Sequence, residues 1–128
     1  MSEQLIFPGL RYRDAPAAIE WLERAFGFER TQVHEGDDGT IAHAELSYHS
    51  AIVMLSSERE GDDTYGEHAG QGWCYVVTDD PDALFERASA AGAEVVQPLI
   101  DTDYGSRDFS VRDPEGNLWS FGTYAPSR

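Results

Sequence analysis

The fold is decided by the stretch Tyr12-Arg-Asp-Ala-Pro-Ala-Ala-Ile-Glu-Trp-Leu-Glu-Arg-Ala-Phe-Gly27. Its apolar side chains recur at the spacing of one helix face. Asp14 is placed to cap the first turn, Pro16 is tolerated just inside it, and Gly27 is a typical stop. Apolar, strand-like sequence flanks the helix on both sides. The stretch therefore predicts a β-α-β unit.

The same pattern returns at a constant offset of 65 residues, which separates Asp14 from Asp79 and Gly27 from Gly92. A repeat of this length is a supersecondary unit that cannot bury its sheet face alone. The second helix is expected from Asp79-Asp80-Pro81 to about Gly92. Strands are expected at Leu5–Tyr12, Phe28–Val33, Thr40–Tyr48, Ala51–Ser56, Trp73–Thr78, Ala93–Pro98, Arg107–Arg112 and Asn117–Tyr124.

We therefore expect a single α+β domain over residues 1–128. Module one covers about 5–56, a polar linker covers 57–71, and module two covers about 72–124. The two βαβββ modules should pair into a curved mixed sheet, with the helices on the outer face and a concave cavity inside.

The charge excludes several classes of function. Twenty-four acidic residues against nine basic ones give a net charge of −15, and the chain contains no Lys. Such a field repels nucleic acid and anionic membranes, and the absence of Lys excludes Schiff-base chemistry. No apolar run is long enough to span a bilayer, and the N-terminal sequence lacks a signal-peptide pattern. Because the chain has a single Cys and hence no internal disulfide, we expect a cytoplasmic protein.

Further motifs complete a family pattern: Asp82-Ala-Leu-Phe-Glu-Arg-Ala88, Ala91-Gly-Ala-Glu94 and Arg112-Asp-Pro-Glu-Gly-Asn-Leu-Trp119. With residues 12–27, they resemble the vicinal oxygen chelate superfamily of glyoxalases, bleomycin-resistance proteins and extradiol dioxygenases, and most of all its PhnB-like branch. The resemblance covers nearly the whole chain and implies paired βαβββ modules. It does not select one activity, because this fold hosts isomerases, ring-cleaving dioxygenases, thiol transferases and sequestering proteins.

Metal-dependent members of this family take ligands from the first and fourth strands of each module. Carried over residue by residue, those four positions fall on Phe7, Met54, Trp73 and Ser120. Aromatic side chains cannot ligate, and a thioether or a hydroxyl is a poor ligand for Mg²⁺, Zn²⁺ or Fe²⁺. We therefore expect no metal site and no other cofactor.

Alternation along the strands predicts which side chains face the cavity. In phase with the four family positions are Arg11, Ile52, Tyr75 and Leu118, while Cys74 falls among the residues packed under the helices. Arg11 suits either an anchor for a carboxylate or phenolate or an internal salt bridge to a neighbouring carboxylate such as Glu45 or Asp108. The many acidic residues favour the salt bridge.

The third strand of module one adds polar side chains to this face. His43 and Glu45 are two residues apart and so adjacent on one side of the strand, and Asp108 takes the corresponding place in module two. The His43–Glu45 pair suits a general base or ligand-anchoring contact, a relocated metal pair, or a structural hydrogen bond.

The expected function is metal-independent binding of a small apolar or aromatic molecule in the concave cavity, resembling bleomycin-resistance-type sequestering proteins. The alternative is a lyase, isomerase or dioxygenase of the glyoxalase family, acting by acid–base chemistry or through a metal with displaced ligands. The expected partners are a small-molecule ligand and a second copy of the chain in a homodimer, with neither nucleic acid nor membrane. The candidate catalytic residues are His43 and Glu45, and the candidate ligand-binding residues are Phe7, Arg11, Ile52, Met54, Trp73, Tyr75, Asp108, Leu118 and Ser120.

Overall fold

The computed structural model describes residues 4–59, 61 and 69–127, so residues 60 and 62–68 of the expected linker lie outside the described part. The elements, in chain order, are β1 (Gly9–Tyr12), α1 (Ala15–Phe26), β2 (Glu29–Glu35), β3 (Ile41–Tyr48), β4 (Ala51–Ser57), β5 (Trp73–Val77), α2 (Pro81–Ala90), β6 (Glu94–Asp101), β7 (Arg107–Arg112) and β8 (Leu118–Gly122). A short 3₁₀ turn at Asp37–Gly39 connects β2 and β3. Among the described residues, no helix has the length and apolarity needed to cross a membrane.

Both helices begin with a side-chain cap. Asp14 accepts a hydrogen bond from the Ala17 amide at 3.2 Å, and Asp80 accepts one from the Ala83 amide at 3.1 Å. Such caps satisfy amides that have no partner inside the helix. Gly27 ends α1 in the left-handed conformation, at φ 76°, which a residue with a Cβ adopts at a steric cost.

The strands form two four-stranded sheets with the same order, β1-β4-β3-β2 and β5-β8-β7-β6. In each sheet the first strand of the module runs parallel to the last, and the other neighbours are antiparallel. The expected α+β fold of two βαβββ modules is confirmed, but the strands form two four-stranded sheets rather than one curved sheet. Because each module keeps its strands in its own sheet, the described link between the modules consists of helix and side-chain contacts.

One hydrophobic core joins the two sheets. The helices α1 and α2 pack against each other, and Trp21 Nε1 donates to the Ala91 carbonyl at 2.9 Å. The ring centroid of Phe26, on α1, lies 4.8 Å from that of Phe121 and 5.5 Å from that of Trp119, both on β8 of the other module. Buried aromatic pairs stabilise beyond the area that they bury. The inner faces of both sheets share this core, and their outer faces point away from it.

The Asp-Pro-Glu-Gly turn of module two holds the start of module one. The Glu115 carboxylate accepts hydrogen bonds from the backbone amides of Arg13 and Asp14 at 2.5 and 2.8 Å. Asp113, which is only 4% exposed, accepts one from the Tyr12 hydroxyl. Burial, followed by the charge of Asp113, raises the pKa of Tyr12 well above its usual value. The turn is therefore a clamp between the modules.

The first strand is shorter than expected. It begins at Gly9 rather than Leu5, and both Leu5 and Ile6 are exposed. Beside β4, the Gln4 carboxamide takes the place of a strand: it accepts from the Ile52 amide at 2.7 Å and donates to the Ile52 carbonyl at 3.0 Å. A continued β1 could not make both bonds, because in this parallel register the Ile52 carbonyl would face the nitrogen of Pro8, which carries no hydrogen.

The sixth strand is longer than expected. It continues to Asp101, past the predicted end at Pro98. β6 is an edge strand, where the missing N–H of a proline need not break the ladder. The pairing with β7 is irregular between Gln97 and Ile100, which is how the sheet accommodates the proline.

Candidate functional site

Strand alternation separates a buried inner face from an open outer face on both sheets. Tyr12, Leu55 and Trp119, predicted to lie under the helices, are at most 2% exposed. The residues predicted for the concave side that are half-buried or exposed are Phe7, Gly9, Arg11, Ile52, Met54, Ser56, Trp73, Tyr75, Val77, Leu118 and Ser120. The burial pattern follows the predicted strand phase in β1 and β4, whereas Gly122, predicted for the concave side, is buried, and in β5 Cys74 and Val76 are half-buried like Tyr75.

A cavity of about 690 Å³ opens on the outer face of the first sheet. We call it the first-sheet cavity. Its described lining comes from β1, β3, β4 and the two ends of the linker, and includes Gly9, Arg11, His43, Met54, Arg59 and Gln71. Three of the predicted site residues, Arg11, His43 and Met54, thus meet in one place. The volume is within the range of pockets that hold small molecules.

The predicted residues of module two lie on a different surface, the outer face of the second sheet: Trp73, Tyr75, Asp108, Leu118 and Ser120. There, Trp73 Nε1 donates to Ser120 Oγ at 3.0 Å. None of these residues lines the first-sheet cavity, and neither does Phe7. The described lining of the first-sheet cavity therefore includes none of the predicted aromatic residues.

His43 and Glu45 are in contact, with His43 Nε2 2.8 Å from Glu45 Oε2. Their side chains are 41% and 28% exposed, so water reaches both. His34 on β2 lies opposite His43 in the strand register, with the ring centroids 6.2 Å apart. Sequence analysis did not single out His34, because alternation within a strand does not reveal which strand lies beside it. The contact orients the His43 imidazole, which suits either proton transfer or a polar wall.

Among the described residues, Arg11 forms no salt bridge with Glu45 or Asp108, the two partners named from the sequence. Arg11 Nη1 donates instead to Ser56 Oγ at 2.5 Å and to the Ser57 carbonyl at 3.3 Å. Asp108 is engaged elsewhere, with the hydroxyls of Ser106 and Tyr104. The prediction failed because Arg11 and Asp108 lie on different sheets, and within the first sheet a serine of the adjacent strand β4 lies closer than any carboxylate.

Arg59 lines the first-sheet cavity and was not predicted from the sequence. It follows β4 and lies in the stretch interpreted as linker, where no strand period assigns a direction to a side chain. It nevertheless lines the first-sheet cavity. The available signal was its position, since a residue just beyond a strand that borders a cavity is close to that cavity.

The four positions that carry metal ligands in the resembled family do not fit a metal ion here. Phe7 and Trp73 offer aromatic rings, and the Trp73 N–H is bonded to Ser120 Oγ. Ser120 Oγ in turn lies 2.8 Å from Ser110 Oγ. Over the described ranges, no three side chains of His, Cys, Asp or Glu are grouped so that they could hold a metal. We derive no chemistry through a metal at these positions.

A second cavity, of about 570 Å³, lies between β4 and β5, where the modules meet. Phe28 and Trp119 form part of its wall, and the predicted site residues Ile52 and Tyr75 lie on it. Cys74 also lines it and packs against the core, as the strand phase predicted. Burial raises the pKa of the Cys74 thiol to about 11. A thiol in this state is a weak nucleophile at neutral pH.

Comparison with known proteins agrees with the fold and the motifs. The model of the Glyoxalase/Bleomycin resistance protein/Dioxygenase superfamily matches residues 5–121. The uncharacterized protein Rv0887c of Mycobacterium tuberculosis is 33% identical over 131 residues, which cover 94% of this chain and 74% of that protein. The uncharacterized protein Mb0911c of Mycobacterium bovis has the same identity and 83% coverage of its own length.

Solved structures give the same result. TioX from Micromonospora sp. ML1 is 37% identical, covers 96% of this chain and all of its own, and superposes with a TM-score of 0.81. The fosfomycin resistance protein FosX from Mesorhizobium loti covers 98% of this chain and 95% of its own with a TM-score of 0.66, but at 16% identity that likeness concerns the fold alone. On the family match and the relatives above 30% identity, this chain belongs to the glyoxalase/bleomycin resistance protein/dioxygenase superfamily.

Proposed function

We propose that this protein binds a small, partly apolar organic molecule without a metal, in the manner of the sequestering members of its superfamily. The observation that carries the proposal is the first-sheet cavity, whose volume of about 690 Å³ suits a small molecule. Met54 lies in this cavity at a position where metal enzymes of the family hold a ligand. A thioether there suits contact with a planar apolar group.

Gly9 offers a way to block the cavity. A Cβ built on Gly9 meets no atom within 4 Å, and Gly9 lines the cavity. Gly9→Trp should therefore fold and fill the space. Val96→Trp is the matched control, because Val96 is exposed on the edge strand β6 of the other module.

A thermal-shift screen of small aromatic molecules tests the proposal. A molecule present at a hundred times its Kd stabilises the protein by about 2.7 kcal/mol. It should stabilise the wild type and Val96→Trp but leave Gly9→Trp unchanged. A molecule that stabilises all three proteins equally binds elsewhere, and a set of such molecules would contradict the proposal.

We also propose that the working form is a homodimer. Leu5, Ile6 and Trp73 are 78%, 86% and 67% exposed in the single chain, and large apolar side chains open to solvent are candidates for an interaction surface. A second copy could set its second sheet against the first sheet of this chain. Its Trp73 and Tyr75 would then cover the cavity that contains Met54, which supplies the aromatic walls that one chain lacks.

Light scattering tests the dimer. The wild type should have twice the 14.2 kDa mass of one chain, and Trp73→Glu should be monomeric. Val96→Glu, which introduces the same charge at another exposed apolar position, should remain dimeric. A wild type that is monomeric at every concentration would overturn this proposal.

Acid–base catalysis by a lyase or isomerase is the second candidate function. It is favoured by the 2.8 Å contact of His43 with Glu45 at the edge of the cavity. For a binding protein, His43→Gln should weaken affinity by about 1–2 kcal/mol, the loss of one polar contact. For an enzyme, it should lower turnover about a hundredfold while binding persists. His34→Gln is the control, because His34 is bonded to Gln32 and not to Glu45.

Two finer assignments complete the proposal. The Asp-Pro-Glu-Gly turn and the helix over residues 12–27 support membership of the PhnB-like branch. The single Cys, which cannot form a disulfide within the chain, is in keeping with a cytoplasmic protein. Fractionation of cells that produce the protein tests the compartment.

A further inference from the structure

The charge of the first-sheet cavity is opposite to that of the whole chain. The protein carries −15 overall, and its acidic residues outnumber its basic ones by 24 to 9. The described lining of the cavity nevertheless includes the guanidinium groups of Arg11 and Arg59 and contains neither Asp nor Glu. The Glu45 carboxylate, bonded to His43, lies at the edge of the cavity, so the described cationic groups in the cavity are those of Arg11 and Arg59.

The contacts of Arg11 leave its charge available to a ligand. Among the described residues, its hydrogen-bond partners are the Ser56 hydroxyl and the Ser57 carbonyl, and both are neutral. These two contacts fix the direction of the side chain without neutralising it. A guanidinium has five N–H donors in a planar fork, which matches the two oxygens of a carboxylate.

The remaining lining divides the cavity by chemistry. The apolar part of the lining is formed by Gly9, Leu10 and Met54. The cationic hydrogen-bond donors are the guanidinium groups of Arg11 and Arg59. A molecule that fills such a space has an apolar body and an anionic group at one end.

We propose that the ligand of the first-sheet cavity is a small organic carboxylate, with its carboxylate on Arg11 and Arg59 and its apolar body over Met54. This inference rests on the proposed function, binding in this cavity, and adds the chemical class of the ligand. The overall field of the protein favours cations, so a preference for an anion has to come from these local groups.

Three probes of one shape and different charge test the inference: 1-naphthoate, neutral 1-naphthamide and cationic 1-naphthylmethylammonium. Isothermal titration at neutral pH should show naphthoate binding at least about tenfold more tightly than the amide, since a charge-assisted hydrogen bond is stronger than a neutral one. The ammonium should bind more weakly than both.

Matched variants show which arginines are responsible for the tighter binding of naphthoate. Arg11→Gln and Arg59→Gln should each bring naphthoate close to the amide while leaving the affinity for the amide unchanged. Arg24→Gln removes the same charge from the exposed side of α1 and should leave the preference as it is in the wild type. If Arg11→Gln does not fold, Arg59→Gln carries the test, because Arg59 is exposed and lies outside the strands.

The outcomes separate this inference from the function on which it rests. If the amide binds as tightly as naphthoate and Gly9→Trp abolishes both, the protein binds in the cavity and the carboxylate inference is overturned. If Arg24→Gln lowers the preference as much as Arg11→Gln, the effect is one of net charge and the inference is overturned as well. If Gly9→Trp leaves the binding of every probe unchanged, the proposed function itself fails.

Discussion

Tyr12 and Asp113 are joined by a hydrogen bond of 2.6 Å that links the first strand of one module to the last turn of the other. The same carboxylate accepts hydrogen bonds from Trp119 Nε1 at 3.0 Å and from the backbone amide of Asn117 at 3.1 Å. All of these groups are buried. A buried polar group that loses its partner destabilises more than the bond itself contributed, so this cluster holds the two modules in one arrangement.

Replacement of the carboxylate measures this effect. Asp113→Ala should lower the free energy of unfolding by about 3 kcal/mol or more, because it leaves the Tyr12 hydroxyl and the Trp119 N–H without an acceptor. Tyr12→Phe should lower it by about 1–2 kcal/mol. Urea unfolding followed by far-ultraviolet circular dichroism gives both values. Asp103→Ala, in an exposed loop, is the control, and an equal loss there would contradict the role of the cluster.

The exposure of Trp73 predicts a concentration-dependent fluorescence. Trp21 and Trp119 are 7% and 1% exposed in the chain, whereas Trp73 is open to solvent. If the dimer covers Trp73, quenching by acrylamide should rise as the protein is diluted and the dimer dissociates. Trp73→Phe should remove this dependence. Quenching that stays constant while light scattering shows dissociation would place Trp73 outside the interface.

The raised pKa of Cys74 predicts slow thiol chemistry. A shift from 9.0 to about 11 lowers the thiolate fraction near pH 8 about a hundredfold, and the thiolate is the reacting form. Reaction with a chromogenic disulfide should therefore be about a hundredfold slower in the folded protein than in urea. A folded protein that reacts as fast as the unfolded chain would show that the thiol is open to water.

The raised pKa of Cys74 also predicts that the protein loses stability at alkaline pH. The folded-state pKa lies above the unfolded value, so the contribution of Cys74 to stability is complete below pH 9 and is lost as the pH rises toward about 11. Tyr12 acts in the same direction, because its pKa is also raised. The melting temperature should fall over this range, and it should fall less in Cys74→Ala. A steeper fall in that variant would reverse the sign of the argument.

The residues at the four family ligand positions predict the metal content of the purified protein. Phe7, Met54, Trp73 and Ser120 cannot form a site for Zn²⁺, Fe²⁺, Mn²⁺ or Ni²⁺. Elemental analysis after dialysis should find less than stoichiometric transition metal, and EDTA should leave the melting temperature unchanged. One metal ion per chain that survives dialysis would show that other residues supply a site.

Local signals predicted the fold well. The cap Asp14 and the stop at Gly27 act within one helical turn, so sequence alone could place α1, whereas α2 is capped by Asp80 and not by Asp79, which the 65-residue offset pairs with Asp14. The face of each strand followed from alternation, because side chains of neighbouring residues point to opposite sides of a sheet. The start of β1 at Gly9 rather than Leu5 had a local signal that the prediction did not use, since Pro8 has no N–H to donate to β4.

The candidate site depends on which strands are neighbours and on how the modules are arranged, and the alternation of side chains along a strand reveals neither. His34 lies beside His43 because β2 pairs with β3, and Arg59 lines the first-sheet cavity from a stretch without any period. Trp73 faces the right side of its own strand, yet it is on another sheet from Met54. The arrangement of the two modules, and not the phase of any strand, decides which side chains share a cavity.

The Gln4 carboxamide has a consequence for solutions in which many copies of the chain meet. Where β1 is too short to cover β4, the Ile52 amide and carbonyl would otherwise lie open beside two exposed apolar residues, which is the arrangement from which strands of different molecules add to one another. Because the Gln4 carboxamide bonds both the amide and the carbonyl of Ile52, neither group is available to a strand of another molecule, and fibril-like growth is blocked at this edge. The protected point is the part of β4 along which β1 does not extend.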